Sequence, residues 1–412
     1  MRLLPRTVVA TALALAALGL TGPAGQAHAE GTGTVHTIDI LGSDPMHRAV
    51  PRRATQPFRM VGVTWDDPHT ALEGTVEIRT RSAATGEWTG WRALDTDART
   101  PETGPDHIRA GVRGGTQPLW TGLADGVQVR ASGLRLPEGM RVELVDPDGD
   151  DPDTPSDTGT PSDTGTGTSS GTGTGTGTSS GTGTGTGTSS GTGTGTGTDS
   201  GTPQPTADRP AVTSRASWGA DESLVQNPPT YTTGTQAIFV HHTAGTNDYT
   251  CAESASIVRG IFTYHVQSNG WNDIGYHFLV DKCGTVFEGR AGGIDKPVQG
   301  AHTYGFNTAT SSISMLGDHN TKAVSAAARA SIAKVAAWKL GLYDRDPSGT
   351  VTLTAGADNG KYTAGQKVTL YRISGHRDGY PTDCPGQSLY GDLPAIRALA
   401  ADARRLTVPA AP

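Results

Sequence analysis

Short stretches of alternating apolar and polar residues follow one another in the first part of the chain. The clearest are FRMVGVTW at 58–65, TVEIRTR at 75–81, VQVRA at 127–131 and RVELV at 141–145. Because successive side chains of a strand point to opposite faces, this period of two predicts antiparallel strands with one buried face. Residues 30–145 are therefore predicted to form a small β-sandwich-like domain.

Four tryptophans belong to this predicted domain, namely Trp65, Trp88, Trp91 and Trp120. They could form a platform on which carbohydrate stacks, or they could lie in the core. We favour the core, because tryptophans at strand spacing most often contribute their large aromatic area to burial. The role of the domain itself does not follow from the pattern.

The apolar pattern stops at about residue 146 and resumes after 210. The intervening chain consists mostly of Gly, Thr, Ser, Asp and Pro, and it contains GTGTGTGTSS units that repeat every ten residues. A segment without large apolar side chains cannot offset the entropy lost on ordering, and it lacks the inward apolar residues of a solenoid repeat. Residues 146–210 are therefore predicted to be a disordered linker.

Strands and helices mix in the last part of the chain. Within 253–269, apolar residues recur at helical spacing and place Ile257, Ile261 and His265 on one face. The mixture predicts an α/β domain over residues 211–408, with a mixed central sheet flanked by helices. The other predicted elements are strands at 237–242 and 311–316, hairpins within 276–290 and 346–372, and a long helix from Ala323 to Tyr343.

The first 29 residues have the layout of a cleavable secretory signal. Arg2 and Arg6 precede an apolar run at 8–20, and Ala27-His28-Ala29 follows it. The run is too short to span a bilayer, and no later stretch reaches the roughly 18 apolar residues that a membrane helix needs. We therefore expect a secreted protein, extracellular or associated with the cell wall, in a compartment where disulfides persist.

Three cysteines cannot all pair with one another. Cys251 and Cys283 lie in the body of the predicted α/β domain, and either could reach the other. We favour a disulfide between them over two free thiols, because export favours oxidation. Cys384 then stands outside the disulfide, and a bond to a metal ion would protect its thiol in an oxidising compartment.

A histidine close to Cys384 in sequence also supports a metal site. His376 and Cys384 lie eight positions apart in SGHRDGYPTDCPG, which is predicted to be one loop because Pro381 and Pro385 exclude a helix there. Catalytic zinc sites use three protein ligands and leave the fourth position to water. The third ligand is expected from His241 or His242, which end a predicted strand. Because neighbouring strand residues point to opposite faces, only one of them would face the site.

Together, these motifs resemble the zinc N-acetylmuramoyl-L-alanine amidases of the peptidoglycan recognition protein type, which are related to phage amidase lysozymes. The resemblance covers about 212–404 and runs through SRASWGA, IFVHHTAG, GYHFLVDKCGTVFEGR, GAHTYGFNTAT and ISGHRDGYPTDCPG. It implies that Zn²⁺ is bound by His241, His376 and Cys384. Zinc lowers the pKa of bound water to roughly 7 and polarises a carbonyl, which suits amide hydrolysis.

The resemblance also implies roles for residues around the metal. Tyr276 and Thr382 would assist catalysis, the tyrosine by donating to the developing oxyanion. Glu288 is a candidate general base only by residue type, and we favour a solvated charge on a hairpin. Four residues would line the substrate groove, although each could equally be a core or rim residue: His277, His302, Arg290 and Asn307.

The implied activity is hydrolysis of the amide between the lactyl group of N-acetylmuramic acid and L-alanine in peptidoglycan. The alternative is a binding module of the same fold that recognises muropeptides without cutting them. Cys384 favours the enzyme, because recognition-only members of the family lack that cysteine. A net charge of −7 and a pI of about 5.9 offer no basic face for nucleic acid, which is not expected as a partner. The oligomeric state and the preferred stem peptide do not follow from the sequence.

Overall fold

The computed structural model describes residues 33–42, 44–96, 100–107, 109–149 and 207–405. The predicted signal peptide at 1–29 and most of the predicted linker at 146–210 lie outside these residues. Among the described residues, no helix is both long and apolar enough to cross a membrane.

The N-terminal part forms a seven-stranded antiparallel sheet with the order β1-β7-β2-β6-β3-β4, in which β5 pairs with β2. All four stretches with a period of two lie in its strands. In β3, the alternation buries Val76, Ile78 and Thr80 and leaves their neighbours partly exposed. The strands are β1 (Thr34–Asp39), β2 (His47–Trp65), β3 (Gly74–Ser82), β4 (Arg92–Ala93), β5 (Gly114–Gly115), β6 (Leu119–Gly133) and β7 (Arg141–Asp146).

The four tryptophans divide into two pairs. Trp65 and Trp120 are buried, as the core interpretation predicts. Trp88 and Trp91 are only partly buried, because they lie on the connection between β3 and β4, and the core interpretation is wrong for them. Guanidinium groups cover their rings instead: Arg79 lies 4.9 Å from the ring centre of Trp91.

The C-terminal part is a mixed five-stranded sheet with helices, which confirms the predicted fold class. The strand order is β10-β9-β11-β8-β14, and only β10 runs antiparallel to its neighbour. The predicted insertion forms a separate hairpin of β12 and β13. The strands are β8 (Ala237–His242), β9 (Phe278–Val280), β10 (Val286–Glu288), β11 (Thr310–Met315), β12 (Thr350–Thr354), β13 (Lys367–Tyr371) and β14 (Ile373–Gly375).

Helices cover both faces of this sheet. Ile238 and Val240 of β8 share an apolar cluster with α3 and α5, whereas Leu279 of β9 packs into a second cluster with α2. Strand β8 is buried along its whole length, which explains its continuous apolar run. The helices are α1 (Arg215–Trp218), α2 (Ser254–Thr263), α3 (Ala326–Gly341), α4 (His376–Gly379) and α5 (Gln387–Arg405).

Two helices differ from their predicted bounds. Helix α3 begins at Ala326, because the side chain of Ser325 accepts the N–H of Ala328 at 3.0 Å and caps the first turn. The helix predicted within 253–269 is α-helical only to Thr263 and continues as a π-helical turn, Tyr264–Ser268. The predicted disulfide is present: Cys251 is bonded to Cys283 across 32 positions of sequence and ties the start of α2 to the β9–β10 turn.

The two parts of the chain pack against each other. Met60, Trp120 and Val145 of the N-terminal sheet lie in the same apolar cluster as Ile261 and Phe262 of α2. The π-helical turn adds a polar contact, since the hydroxyl of Tyr264 donates to the carbonyl of Thr116 at 3.1 Å. The N-terminal sheet is therefore joined to the face of the C-terminal domain that carries α2.

Candidate metal centre and groove

The three predicted zinc ligands converge on one point. One ligand atom from each of His241, His376 and Cys384 lies within 4.8 Å of the other two. The rings of the histidines are 4.4 Å apart, and Sγ of Cys384 is 3.7 Å from Nδ1 of His241. All three side chains are buried, with exposures of 1%, 5% and 3%.

Sheet topology explains this convergence. Strands β8 and β14 are parallel neighbours, with Val240 opposite Gly375. His241 follows Val240 within β8, and His376 follows Gly375 as the first residue of α4, so both lie at the same edge of the sheet. The loop between α4 and α5 then returns Cys384 to this edge, where the N–H of His242 donates to its Sγ at 3.4 Å.

The structure distinguishes the two adjacent histidines of β8. The His242 side chain points to the other face, where its Nδ1 accepts the N–H of His319 at 3.1 Å and lies 3.8 Å from the Asp318 carboxylate. Only His241 faces His376. The alternation of side chains along β8 therefore allows only His241 to contribute to this cluster.

The donor set fits zinc. Two imidazoles and a thiol that share one buried space match the ligands of a tetrahedral site with one position left for water or substrate. Burial, with a smaller contribution from the neighbouring His376, holds the pKa of His241 well below its ordinary value of 6.5. The imidazole is consequently neutral at neutral pH, which is the form that binds a metal ion.

Thr303 contacts the His241 imidazole on the side opposite to Cys384, and the sequence motifs did not predict this contact. Its Oγ1 lies 3.5 Å from Nε2 of His241 and 2.9 Å from Nδ1 of His302. The sequence feature that could have indicated Thr303 is its position in GAHT, directly after the predicted groove residue His302.

The two residues predicted to assist catalysis lie beside the candidate metal centre. The Tyr276 ring is 5.3 Å from the His241 ring, and its hydroxyl donates to Oε1 of Gln117 at 3.3 Å. Thr382 is half-buried, and its Oγ1 accepts the N–H of Cys384 at 2.9 Å. Thr382 thus holds the loop that carries the cysteine, whereas Tyr276 presents a phenol next to His241.

The four predicted groove residues are all buried. His302 lies next to the cluster, with its ring 5.4 Å from that of His241. Asn307 positions this loop, because its Oδ1 accepts the N–H of His302 at 2.7 Å. The His277 ring lies 5.4 Å from that of His302, its Nε2 is 2.7 Å from the carbonyl oxygen of Val298, and burial lowers its pKa to about 3.

Arg290 and Glu288 lie farther from the cluster. Arg290 donates to the carbonyl of Ile274 at 3.1 Å and also pairs with Asp106 of the N-terminal part. Glu288 accepts the N–H of Arg215 at 3.3 Å, and two strands separate its strand β10 from β8. A general-base role for Glu288 at His241 is therefore incompatible with the sheet order, since each strand adds about 4.8 Å.

Comparisons with known proteins agree with this geometry. A family model described as N-acetylmuramoyl-L-alanine amidase matches residues 231–387, and one described as Rv3811 N-terminal galactose-binding domain-like matches residues 21–165. Peptidoglycan-recognition protein SC2 of Drosophila melanogaster is 32% identical over 154 residues, which cover 37% of this chain and 70% of that protein.

A human protein and a solved structure are also similar to this chain. The N-acetylmuramoyl-L-alanine amidase of Homo sapiens is 30% identical over 190 residues, covering 44% of this chain and 27% of that protein. The structure titled Drosophila PGRP-LB wild-type has a TM-score of 0.35 at 23% identity and covers 44% of this chain and 92% of its own. On the family model and the SC2 relative, the chain belongs to the peptidoglycan recognition protein and type 2 amidase family.

Proposed function

We propose that this protein is an exported, zinc-dependent N-acetylmuramoyl-L-alanine amidase. Its substrate is the amide between the lactyl group of N-acetylmuramic acid and L-alanine in peptidoglycan. The observation that carries the proposal is the convergence of His241, His376 and Cys384 within 4.8 Å in a chain of this family. Recognition of a wall fragment needs groove contacts, but it does not need a buried cluster of two imidazoles and a thiol.

In this proposal, each segment of the chain has its own role. Residues 1–29 direct export, and residues 146–210 link a β-rich domain at 30–145 to the amidase domain at 211–408. The signal sequence supports localisation outside the cell, where peptidoglycan is accessible.

The residues around the cluster have distinct tasks in this proposal. His241, His376 and Cys384 hold Zn²⁺, which when bound supplies a Lewis acid for amide hydrolysis. Thr303 orients His241, and Thr382 holds the backbone that carries Cys384.

The chemical step also needs a donor that acts on the transition state. The Tyr276 hydroxyl donates a hydrogen bond to the carbonyl oxygen as negative charge develops on it. Because these side chains are buried, their electrostatic interactions are stronger than they would be in water. His302 and Asn307 shape the loop beside His241, where the substrate is bound.

The deciding experiment is digestion of purified sacculi with the chain that begins at Glu30. We expect release of peptides with a free L-alanine amino group, detected by mass spectrometry, and loss of that release with a chelator or in Cys384→Ala. His47→Ala is the matched control, because His47 is exposed on the N-terminal sheet and its nearest ionic contact is Asp44. Binding to sacculi without new amino groups would overturn the amidase proposal and favour recognition alone.

A further inference from the structure

A segment of the N-terminal part contacts two residues that the family resemblance assigns to the substrate groove, Arg290 and Asn307. We name residues 100–107 together with Arg109 the covering segment. Its most buried contact is an ion pair between Asp106 and Arg290, whose side chains are 1% and 3% exposed. The second carboxylate oxygen of Asp106 accepts the N–H of Asn272 at 2.9 Å. Asp106 thus neutralises and covers one of the predicted groove residues.

A second carboxylate of the covering segment contacts another groove residue. Oε2 of Glu102 accepts from the side-chain amide of Asn307 at 2.7 Å, and Oε1 accepts from its backbone N–H at 3.2 Å. The side-chain amide of Gln299 donates to the hydroxyl of Thr103, and Arg109 donates to the carbonyl of Trp271. Gln117, which follows the covering segment in sequence, accepts from the Tyr276 hydroxyl at 3.3 Å.

Other contacts also join the two parts of the chain. The N-terminal sheet is already held on α2 by Met60, Trp120 and Val145, and by the hydroxyl of Tyr264. The covering segment instead makes its polar contacts with Arg290, Asn307 and their neighbours. Both carboxylates of the covering segment therefore bind residues that the family resemblance assigns to the groove.

We propose that the covering segment is an internal occupant of the groove and competes with substrate for it. This inference rests on the proposed function for the identity of the ligand. In the closed state, Asp106 and Glu102 take the positions that polar groups of a muropeptide occupy in the open state. A ligand that enters must offer an anion to Arg290, because removing the partner of a buried charge is strongly unfavourable. A peptide carboxylate meets that requirement.

Competition of this kind has a definite kinetic signature. Only the open fraction of the protein binds ligand, so the apparent dissociation constant is the intrinsic one divided by that fraction. Saturating substrate holds all molecules open, and kcat is then independent of the covering segment. Weakening the closed state therefore lowers KM and leaves kcat unchanged.

The test uses the full chain from Glu30 with Asp106→Asn and Glu102→Gln, each of which removes a charge from the segment and keeps its shape. Asp125→Asn is the matched control, because Asp125 pairs with Arg81 on the N-terminal sheet and does not belong to the covering segment. For a soluble muramoyl pentapeptide, we expect KM to fall about tenfold in Asp106→Asn, as expected for a closed state weakened by about 1.4 kcal/mol. Glu102→Gln changes KM in the same direction, and Asp125→Asn keeps the parental value.

Binding of the same pentapeptide by calorimetry, in a Cys384→Ala background, separates this inference from the proposed activity. Tighter binding in Asp106→Asn and Glu102→Gln supports the covering segment even if the parental protein hydrolyses nothing. Weaker binding or a higher KM would show that the segment is a wall of the binding site, and would overturn the inference. Parental values in both variants would overturn it as well. If Asp106→Asn does not fold, Glu102→Gln alone decides between these outcomes.

Discussion

The hydroxyl of Thr303 lies 3.5 Å from Nε2 of His241. The other ring nitrogen, Nδ1, faces Cys384, whose Sγ is 3.7 Å away. A hydroxyl that accepts the Nε2 proton holds the imidazole in the tautomer whose Nδ1 lone pair is available to a metal ion. Thr303 is therefore a positioning residue for a predicted zinc ligand.

Thr303→Val should weaken zinc binding, because valine keeps the volume of threonine and removes the hydroxyl. Loss of such a hydrogen bond to a metal-ligating histidine typically costs about 10- to 100-fold in metal affinity. Zinc affinity is measured by competition with a chromogenic chelator. Thr303→Ser, which retains the hydroxyl, should stay close to the parental affinity. Equal affinities for the valine and serine variants would remove Thr303 from the metal site.

Tyr276→Phe should lower kcat on the order of 100-fold, because an oxyanion donor acts only in the transition state. Muropeptide affinity and melting temperature should change little, since phenylalanine retains the buried ring. The measurement is steady-state hydrolysis beside thermal unfolding. Tyr343→Phe is the control, because the Tyr343 hydroxyl donates to the carbonyl of Asp295 and has no predicted catalytic role. An unaltered kcat in Tyr276→Phe would contradict the assignment.

The Cys251–Cys283 disulfide should stabilise the domain without taking part in metal binding. It closes a loop with a sequence separation of 32 residues, for which chain-entropy arguments give about 3 to 4 kcal/mol. Replacing both cysteines by serine should lower the free energy of unfolding by about that amount, measured in urea, and leave the zinc content per chain unchanged. Alkylation of both cysteines before reduction would show that the bond does not form in solution.

Lys339 should make the stability of the domain rise with pH above about 8. The side chain lies at the end of α3, and its Nζ donates to the carbonyls of Ile294 and Lys296 at 2.6 and 2.7 Å. Burial lowers its pKa from 10.5 to about 8. Between these two values, the unfolded chain binds more protons than the folded one, so the free energy of unfolding increases with pH.

The full effect of Lys339 is on the order of 3 kcal/mol between pH 8 and 10.5. It is measured as the difference in urea stability between the parental protein and Lys339→Met across that pH range. The exposed Lys334→Met variant is the control, because it removes a lysine from the same helix whose side chain is exposed to solvent. Identical pH dependence in the parental protein and Lys339→Met would contradict the prediction.

Local sequence patterns determined most of the secondary structure. The period of two in TVEIRTR predicts β3, and the continuous apolar run of AIFVHH predicts the buried strand β8, because strand periodicity depends only on neighbouring residues. The cysteine count and the expected export predicted the pairing of Cys251 with Cys283, whereas the loop predicted to carry both His376 and Cys384 begins with a short helix, α4. The prediction that Trp88 and Trp91 lie in the core was wrong, since burial of a side chain depends on which other parts of the chain cover it.

Tertiary structure alone decided the arrangement around the groove. The resemblance names His241, but the physical reason for His241 over His242 is the face of β8 on which Cys384 lies, and spacing along the chain does not carry that information. The contact between Asp106 and Arg290 joins residues 184 positions apart, across a segment that gives no guidance on how the two parts meet. The residues next to Asp106 in sequence do not reveal its partner, because an ion pair forms with whichever opposite charge the fold brings close.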